Sequence, residues 1–305
     1  DSTLMTIQGA KTLSLDVKYS SDVQTKGMFG TGWSHNYEKK LLENGTKIRV
    51  FDSPTYYAEY EKTSDNVYKS DTITKEGYVV TKNSNGYEVN CNYKSTEYYD
   101  KSGKLYKIVS KDGFATLIQY SSSNTIKITE AVSGKYMTLE LDSSGKVVKV
   151  SDNAGRTCLL GYTGDFLTSI TDENGSKTIY EYTDKGQIKR GMDGRGIVYF
   201  YDTYDSAGRI ISQQDAISSH PTTMISYDTT TVKDHTVVRV SDRLGNVSTY
   251  KYNSSRQLVS KTDANGVTTT YGYDAAGYMT KKTDGLGHSA TNVYDTKGNL
   301  TSSTD

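Results

Sequence analysis

The chain has 305 residues, with 36 basic and 36 acidic side chains, so its formal net charge is zero. This balance gives no chain-wide positive field that would attract nucleic acid or an anionic membrane, and no run of about 18 apolar residues is present to form a transmembrane helix. Hydrophobic residues make up 34% of the chain, with 27 tyrosines and only 2 prolines, which favours an ordered, tyrosine-packed β protein over a disordered one. We therefore expect no nucleic-acid partner and no membrane insertion.

Residues 1–95 have β-like alternation without a regular repeat, and we assign them to an N-terminal β-rich leader segment. Its distinctive stretch places Gly27, Gly30 and Gly32 directly before the only tryptophan, Trp33. Glycines at this density indicate a tight, irregular backbone, and a single large ring is typical of a packing anchor. No Lys-Ser/Thr pair and no helical pattern follow, so we favour structural packing over a phosphate-binding loop.

A repeat occupies residues 96–305 and is regular from about residue 141. At the C-terminal end four kinds of position recur every 21 residues. They are the aspartates Asp242, Asp263 and Asp284, the glycines Gly245, Gly266 and Gly287, the tyrosines Tyr252, Tyr273 and Tyr294, and the apolar residues Leu258, Met279 and Leu300. Earlier units carry the same anchors at Asp152, Asp172, Asp193 and Tyr182. A fixed period of this size indicates a repeat architecture in which each unit packs against its neighbours.

Each unit contains two runs of about seven residues rich in Thr, Val and Tyr, which favour strands, and two turn signals between them. Asp at the first turn position can accept hydrogen bonds from backbone amides, and Gly at the fourth can adopt positive φ. Together they fit a type I turn that closes into a glycine bulge. Alternation then places Tyr271 and Tyr273 on one side of the strand and Thr270 on the other, and we interpret the tyrosine side as the packed face.

The intervals from Asp152 to Asp172 and from Asp193 to Asp215 are 20 and 22 residues, and one unit, from Asp215 to Asp242, departs further from the period with 27. The spacing from Asp215 to Tyr227 is two residues longer than the regular ten, and the spacing from Tyr227 to Asp242 is four residues longer than the regular eleven. The additional residues fall around 220–221 and 229–234. Insertions in a repeat array fall in loops, often on the face that meets a partner, so this unit is the first candidate for a specialised surface.

The residues that carry chemistry in other proteins show no catalytic or metal-binding spacing here. The four histidines share no short spacing with one another or with the cysteines, so we assign no catalytic, cofactor-binding or metal-binding residue and expect no enzyme activity. Rows of aspartate at turns leave calcium binding as an alternative to backbone capping. Rows of tyrosine leave carbohydrate binding as an alternative to packing. Cys91 and Cys158 are compatible with one disulfide or with two unpaired thiols.

The repeated Tyr-Asp-x-x-Gly pattern, as in residues 273–279 and 294–300, resembles the YD repeat of the rearrangement hot spot (RHS) family. That family includes bacterial polymorphic toxins, the shells of insecticidal toxin complexes, wall-associated proteins and the animal teneurins. Residues 17–20 and 27–33 are similar to the segment that commonly opens such a repeat region. The resemblance implies an all-β fold, a YD-repeat β-hairpin ribbon wound as a spiral or barrel-like shell, whose hollow interior in toxin members holds a C-terminal effector.

The resemblance also implies a function. The family's self-cleaving protease site carries an Asp-Pro motif, and neither Pro54 nor Pro221 follows an aspartate, so no catalytic residue is carried over. We expect a non-catalytic structural segment that encapsulates or presents a C-terminal toxin or effector, partnered by the remainder of the same polypeptide. The implied location is secreted or cell-surface, in a bacterium, and the start at Asp1 without a signal peptide favours a piece of a longer protein. The alternative is a cell-surface adhesion or carbohydrate-binding module whose partner is a surface glycan or protein.

Overall fold

The computed structural model describes residues 2–21, 25–53, 56–70, 78–91, 94–122, 124–215, 223–228, 235–295 and 299–305. The regular secondary structure of these residues is β, and they contain no helix long and apolar enough to cross a membrane. Two compact units make up the chain, Asp1–Ile197 and Val198–Asp305. The insertions expected around 220–221 and 229–234 lie outside the described residues.

The N-terminal part of the first unit forms a small antiparallel sheet and a separate two-stranded ribbon. Strands β1 (Ser2–Ile7), β2 (Leu13–Tyr19) and β5 (Trp33–His35) pair in the order β1-β2-β5. Strand β3 (Lys26–Gly27) pairs with β4 (Gly30–Thr31). Alternate residues of β2 are buried, which gives the sheet one apolar face.

Sixteen further strands in the described part of the first unit form one antiparallel sheet, in which each strand pairs with the next in chain order. They are β6 (Lys40–Asn44), β7 (Lys47–Phe51), β8 (Tyr57–Ser64), β9 (Val67–Lys69), β10 (Val79–Asn83), β11 (Gly86–Asn90), β12 (Ser95–Asp100), β13 (Leu105–Ser110), β14 (Ala115–Tyr120), β15 (Thr125–Glu130), β16 (Tyr136–Leu141), β17 (Val147–Asp152), β18 (Thr157–Thr163), β19 (Phe166–Thr171), β20 (Lys177–Tyr182) and β21 (Ile188–Asp193). Pairing continues from β11 to β12, and the domain boundary at residue 95 stays a prediction.

The first seven strands of this sheet curl so that β6 meets the turn after β12. The Leu41 amide donates a hydrogen bond to the Gly103 carbonyl at 2.8 Å. The Glu43 carboxylate on β6 accepts hydrogen bonds from the hydroxyls of Tyr68 on β9, at 2.9 Å, and Tyr87 on β11, at 2.7 Å. These strands share an interior of buried side chains that includes Ile48, Val50, Tyr60, Val80, Val89 and Tyr99.

The described part of the second unit repeats the antiparallel hairpin pattern in ten strands. They are β22 (Val198–Tyr204), β23 (Ile210–Asp215), β24 (Thr223–Asp228), β25 (His235–Ser241), β26 (Val247–Asn253), β27 (Leu258–Thr262), β28 (Thr268–Tyr273), β29 (Met279–Thr283), β30 (Ser289–Tyr294) and β31 (Leu300–Thr304). Each pairs with the next in chain order. Among the described residues of this unit, Val237 alone has a buried side chain. The predicted all-β fold of antiparallel YD-repeat hairpins is confirmed.

Candidate functional site

The aspartates at the repeat turns cap the backbone. Oδ1 of each accepts hydrogen bonds from the amides two and four residues later, at 2.8–3.0 Å. The set comprises Asp100, Asp142, Asp152, Asp172, Asp193, Asp205, Asp242, Asp263 and Asp284. The glycine three residues on has φ between +80° and +91° and donates to the aspartate carbonyl, which forms a type I turn with a glycine bulge. The Lys146 amide is the main cause that holds the pKa of Asp142 below its usual range.

Tyrosine hydroxyls tie several of the repeats to the one before. Four of them donate to the carbonyl of the apolar anchor fifteen residues earlier, at 2.6–3.2 Å. These pairs are Tyr162 with Val147, Tyr182 with Leu167, Tyr273 with Leu258, and Tyr294 with Met279. A register shift accompanies each of these anchors, and a bulge interrupts ladder pairing so that the anchor carbonyl can accept the hydroxyl.

The same bond is present in the irregular repeat. The Tyr227 hydroxyl donates to the Ile210 carbonyl at 2.9 Å, across seventeen residues instead of fifteen. The two additional residues therefore lie between Ile210 and Tyr227, and the hydrogen bond between these two residues is retained. The predicted packing role of these tyrosines does not include the hydrogen bond of their hydroxyl groups. The signal that reveals the bond is the fifteen-residue spacing between apolar anchor and tyrosine, which is constant in the regular repeats.

Replacing Tyr273 with phenylalanine should lower the free energy of unfolding by about 1 kcal/mol, because the ring stays while its bond to the Leu258 carbonyl is lost. Tyr271→Phe is the matched control, since Tyr271 lies on the same strand and its hydroxyl bonds to no described residue. Urea unfolding of both variants measures the difference. Equal losses in the two variants would contradict a specific contribution from the Tyr273 bond.

The leader lies on the tyrosine face of the first unit. The Trp33 indole Nε1 donates to the Tyr182 hydroxyl at 3.0 Å. Its ring centroid lies 5.2 Å from that of Tyr180 and 5.4 Å from that of Tyr19. The Tyr19 hydroxyl in turn accepts a hydrogen bond from the Ile188 amide at 3.0 Å. Trp33 is 3% exposed, so these residues form a buried aromatic cluster between leader and repeats.

Backbone hydrogen bonds also join the glycine-rich part of the leader to the repeats. The Val147 amide donates to the Met28 carbonyl, and the Thr31 amide donates to the Asp165 carbonyl, both at 2.8 Å. Gly30 has a φ of +89°, and a Cβ at that position would lie 2.5 Å from the Asp165 carbonyl oxygen, so glycine is required there. Close approaches also occur at the other two leader glycines, Gly27 and Gly32.

The leader provides the cover that buries the repeat anchors of the first unit. Beneath it, Val147 and Leu167 are fully buried. At the equivalent repeat position of the second unit, Leu258 and Met279 are half-buried and Leu300 is 54% exposed. The apolar anchors are therefore buried in the first unit and partly exposed to solvent in the second.

Three family models match the chain. The RHS Repeat model matches residues 256–289, the Teneurin YD-shell model matches residues 55–199, and a domain of unknown function, DUF6531, matches residues 1–59. Residues 55–199 and 256–289 are therefore similar to the repeats of the RHS/YD-repeat family. The predicted resemblance to this family is thus confirmed.

Solved structures similar to this YD-repeat chain include toxin-complex proteins. A mutated form of the Photorhabdus luminescens Tc holotoxin pore is 14% identical, with 88% of this chain and 19% of that chain covered and a TM-score of 0.39. The TcdB2-TccC3-TEV structure is 14% identical, with 83% and 20% covered and a TM-score of 0.38. The chain spans about one fifth of the length of these proteins. No curated protein matches it.

The other candidates for chemistry in this YD-repeat chain are dispersed. Cys91 and Cys158 are both buried thiols that are not joined in a disulfide, and burial raises the pKa of the Cys158 thiol to about 11. His288 is exposed at a turn, with Nδ1 3.1 Å from an Asp284 carboxylate oxygen. In the part of the chain that the structure describes, no group of three or more His, Cys, Asp or Glu side chains is arranged to hold a metal ion.

Two ionisable groups, one buried and one half-buried, lie at and just after the end of β5. His35 is 4% exposed and packs against the Phe29 ring, with centroids 5.3 Å apart. Burial lowers its pKa to about 3. Glu38 accepts a hydrogen bond from the Met28 amide at 3.0 Å, and burial raises its pKa to about 7. His35 Nε2 and Glu38 Oε2 have no hydrogen-bond partner among the described residues.

These two groups should give the YD-repeat chain opposite pH dependences. The folded pKa of His35 lies below its ordinary value of 6.5, so its contribution is complete above pH 6.5 and is lost toward pH 3. The folded pKa of Glu38 lies above its ordinary value of 4.5, so its contribution is complete below pH 4.5 and is lost as the pH rises through 7. Each slope is about 1.4 kcal/mol per pH unit, and the slopes cancel between pH 4.5 and 6.5.

Single substitutions should expose each slope. Glu38→Gln leaves a protein that loses stability as the pH falls from 6.5, whereas His35→Phe leaves one that gains stability as the pH falls from 7. Urea unfolding at stepped pH measures both. Parallel curves for the two variants would rule out opposing titrations at these sites.

Proposed function

We propose that the chain is a non-catalytic wall segment of a YD shell that encloses or presents a C-terminal effector of the same polypeptide. The observation that carries the proposal is the serial linkage of the repeats. From β6 to β21 and from β22 to β31 each strand pairs with the next, and in five of the described repeats a tyrosine hydroxyl binds the anchor carbonyl of the repeat before it. An array in which units contact only their neighbours extends by adding units, which is the property that a wall requires.

The leader supports the same proposal. It covers the tyrosine face in the first unit, and in the second unit the tyrosines at the corresponding positions, Tyr252, Tyr273 and Tyr294, are half-buried. Half-buried tyrosines can contact both water and apolar groups. This face is therefore suited to contact further segments of the same polypeptide. The proposed location of the shell is secreted or at the cell surface. Carbohydrate binding or adhesion is a second candidate function, favoured by the row of half-buried tyrosines Tyr252, Tyr273 and Tyr294.

The test uses the full-length polypeptide that contains this chain, treated with a nonspecific protease under native conditions. An enclosed effector should survive in the intact protein and be degraded when expressed alone. Trp33→Ala, which removes the leader's main aromatic contact, should increase cleavage of the effector. Tyr201→Ala, at an exposed position on β22, should not. Equal cleavage of the effector in the intact protein and in isolation would contradict enclosure.

A further inference from the structure

A lysine and two carboxylates converge at the base of the hairpin formed by β6 and β7. Lys39 directly precedes β6 and Asp52 directly follows β7. Because Lys40 pairs with Phe51, the antiparallel ladder places the next two residues, Lys39 and Asp52, opposite each other. Lys39 Nζ lies 3.1 Å from Asp52 Oδ1 and 2.6 Å from an oxygen of Glu97, which belongs to β12. The hairpin base therefore holds an amine within reach of two carboxyl groups.

The surroundings of this cluster distinguish the two carboxylates. The Glu97 side chain is 6% exposed, and its second oxygen accepts a hydrogen bond at 2.6 Å from the hydroxyl of Tyr99, a fully buried residue. Asp52 is more accessible, with 28% of its side chain exposed. Glu97 is therefore fixed with one oxygen toward the lysine, whereas a small molecule released at Asp52 has a route to solvent.

The resting cluster is an ion network. Burial favours the neutral amine of Lys39, but the charges and hydrogen bonds of Glu97 and Asp52 outweigh burial and hold the pKa of Lys39 above its usual range. Transfer of one proton from Lys39 to Asp52 converts their ion pair into an amine and a carboxylic acid without a change in net charge. A site poor in water lowers the cost of this conversion, since it solvates the ion pair weakly. The neutral amine of a lysine is a nucleophile.

We propose that Lys39 and Asp52 join in an intramolecular isopeptide bond. Nζ of the neutral amine attacks Cγ of the protonated Asp52 carboxyl group, and Glu97 accepts the proton that the nitrogen loses. Glu97 then returns that proton to the departing hydroxyl group, so that a C–N bond replaces the C–OH bond and one water molecule leaves. The hairpin supplies the proximity of the reacting groups, and Glu97 supplies general acid–base catalysis. The step occurs once per molecule and turns over no substrate.

The bond would close the base of a hairpin that includes β6, the strand that meets the turn after β12. A covalent link of this kind restricts the unfolded chain as a disulfide does, and Cys91 and Cys158 are not joined in a disulfide. The isopeptide bond therefore gives the leader end of the repeat array a cross-link that reducing agents do not break. This inference is independent of the proposed enclosure of an effector.

The experiment is mass spectrometry of the folded, intact chain. Its mass should be lower than the mass of the sequence by one water molecule. Trypsin should release residues 27–40 joined to residues 50–62 as one branched peptide, because trypsin does not cut after a modified Lys39. Lys39→Arg and Asp52→Ala should each restore the full mass. Glu97→Gln should slow formation of the bond by about a hundredfold or more, although Glu97 contributes no atom to the bond.

Lys47 provides a matched control. Its Nζ lies 2.6 Å from a Glu59 carboxylate oxygen, the same distance as in the buried cluster, but its side chain is 46% exposed. Lys47→Arg should therefore keep the loss of water, and no branched peptide should contain Lys47. Circular dichroism checks that each variant is folded, and the mass of the unsubstituted chain decides the proposal whether or not a variant folds.

Three results would overturn the proposal. The first is a folded chain with the full mass of its sequence. The second is a loss of water without the branched peptide, as a succinimide would give, or with a branch at Glu97 instead of Asp52. The third is an unchanged rate of bond formation in Glu97→Gln. Each leaves the enclosure proposal standing, because protease protection of an effector does not require this bond.

Discussion

Replacing Trp33 with alanine should lower the free energy of unfolding of the first unit by about 3–5 kcal/mol. The substitution leaves a cavity at a position that is 3% exposed and removes the ring contacts with Tyr19 and Tyr180. It also removes the hydrogen bond to the Tyr182 hydroxyl. Urea unfolding followed by far-UV circular dichroism is the measurement, since the variant lacks the chain's only tryptophan.

Trp33→Phe is the control, because it keeps an aromatic ring and loses the Nε1 donor. It should recover more than half of the stability that Trp33→Ala loses. A loss below about 1 kcal/mol in the alanine variant, the size of one ordinary hydrogen bond, would contradict the view that this ring fixes the leader on the repeats.

Replacing Gly103 with alanine should cost more than about 3 kcal/mol, since it combines an unfavourable backbone angle with a steric clash. Gly103 has a φ of +80°, and a Cβ there would lie 1.9 Å from the Leu41 carbonyl oxygen. That carbonyl belongs to β6, the strand that meets the turn after β12. The substitution therefore pushes apart the two ends of the curl formed by the first seven strands of the sheet.

Gly145 provides a matched control for this prediction. It occupies the same turn position with a φ of +82°, and no described atom lies within 4 Å of a Cβ placed there. Gly145→Ala should therefore cost only the backbone term of roughly 1–2 kcal/mol. Thermal and urea unfolding of the two variants separate the backbone cost from the cost of the steric clash. Equal losses of stability would mean that the contact between Gly103 and β6 adds nothing to the cost of the substitution.

The fold was predictable because its main signals are local. Asp at the first and Gly at the fourth position of a turn act within five residues, and alternation along a strand acts over two. The repeat period then multiplies these signals along the chain. The resemblance to the family and the all-β hairpin fold are confirmed, whereas the division at residue 95 and the functional role of the repeat anchors stay predictions.

The long-range contacts were not predictable from the period. Trp33 and Tyr182 are 149 residues apart, and nothing in a 21-residue repeat states which repeats the leader will cover. The tyrosine bonds use a backbone carbonyl as acceptor, a group that every residue possesses, so the acceptor leaves no mark on the sequence. The irregular spacing after Asp215 identifies an unusual repeat. It does not predict that the Tyr227 hydroxyl in that repeat still bonds to the Ile210 carbonyl.

The bond between Tyr227 and Ile210 shows that the length of a repeat can change without loss of the hydrogen bond that joins it to the repeat before it. Because the bond survives two additional residues between its partners, the length of the chain between Ile210 and Tyr227 can vary while this hydrogen bond is retained. Evolution can therefore lengthen single turns along one edge and diversify that surface one repeat at a time. For protein engineering, this edge is the place to graft a foreign loop, and preservation of the tyrosine bond is the criterion for an acceptable graft.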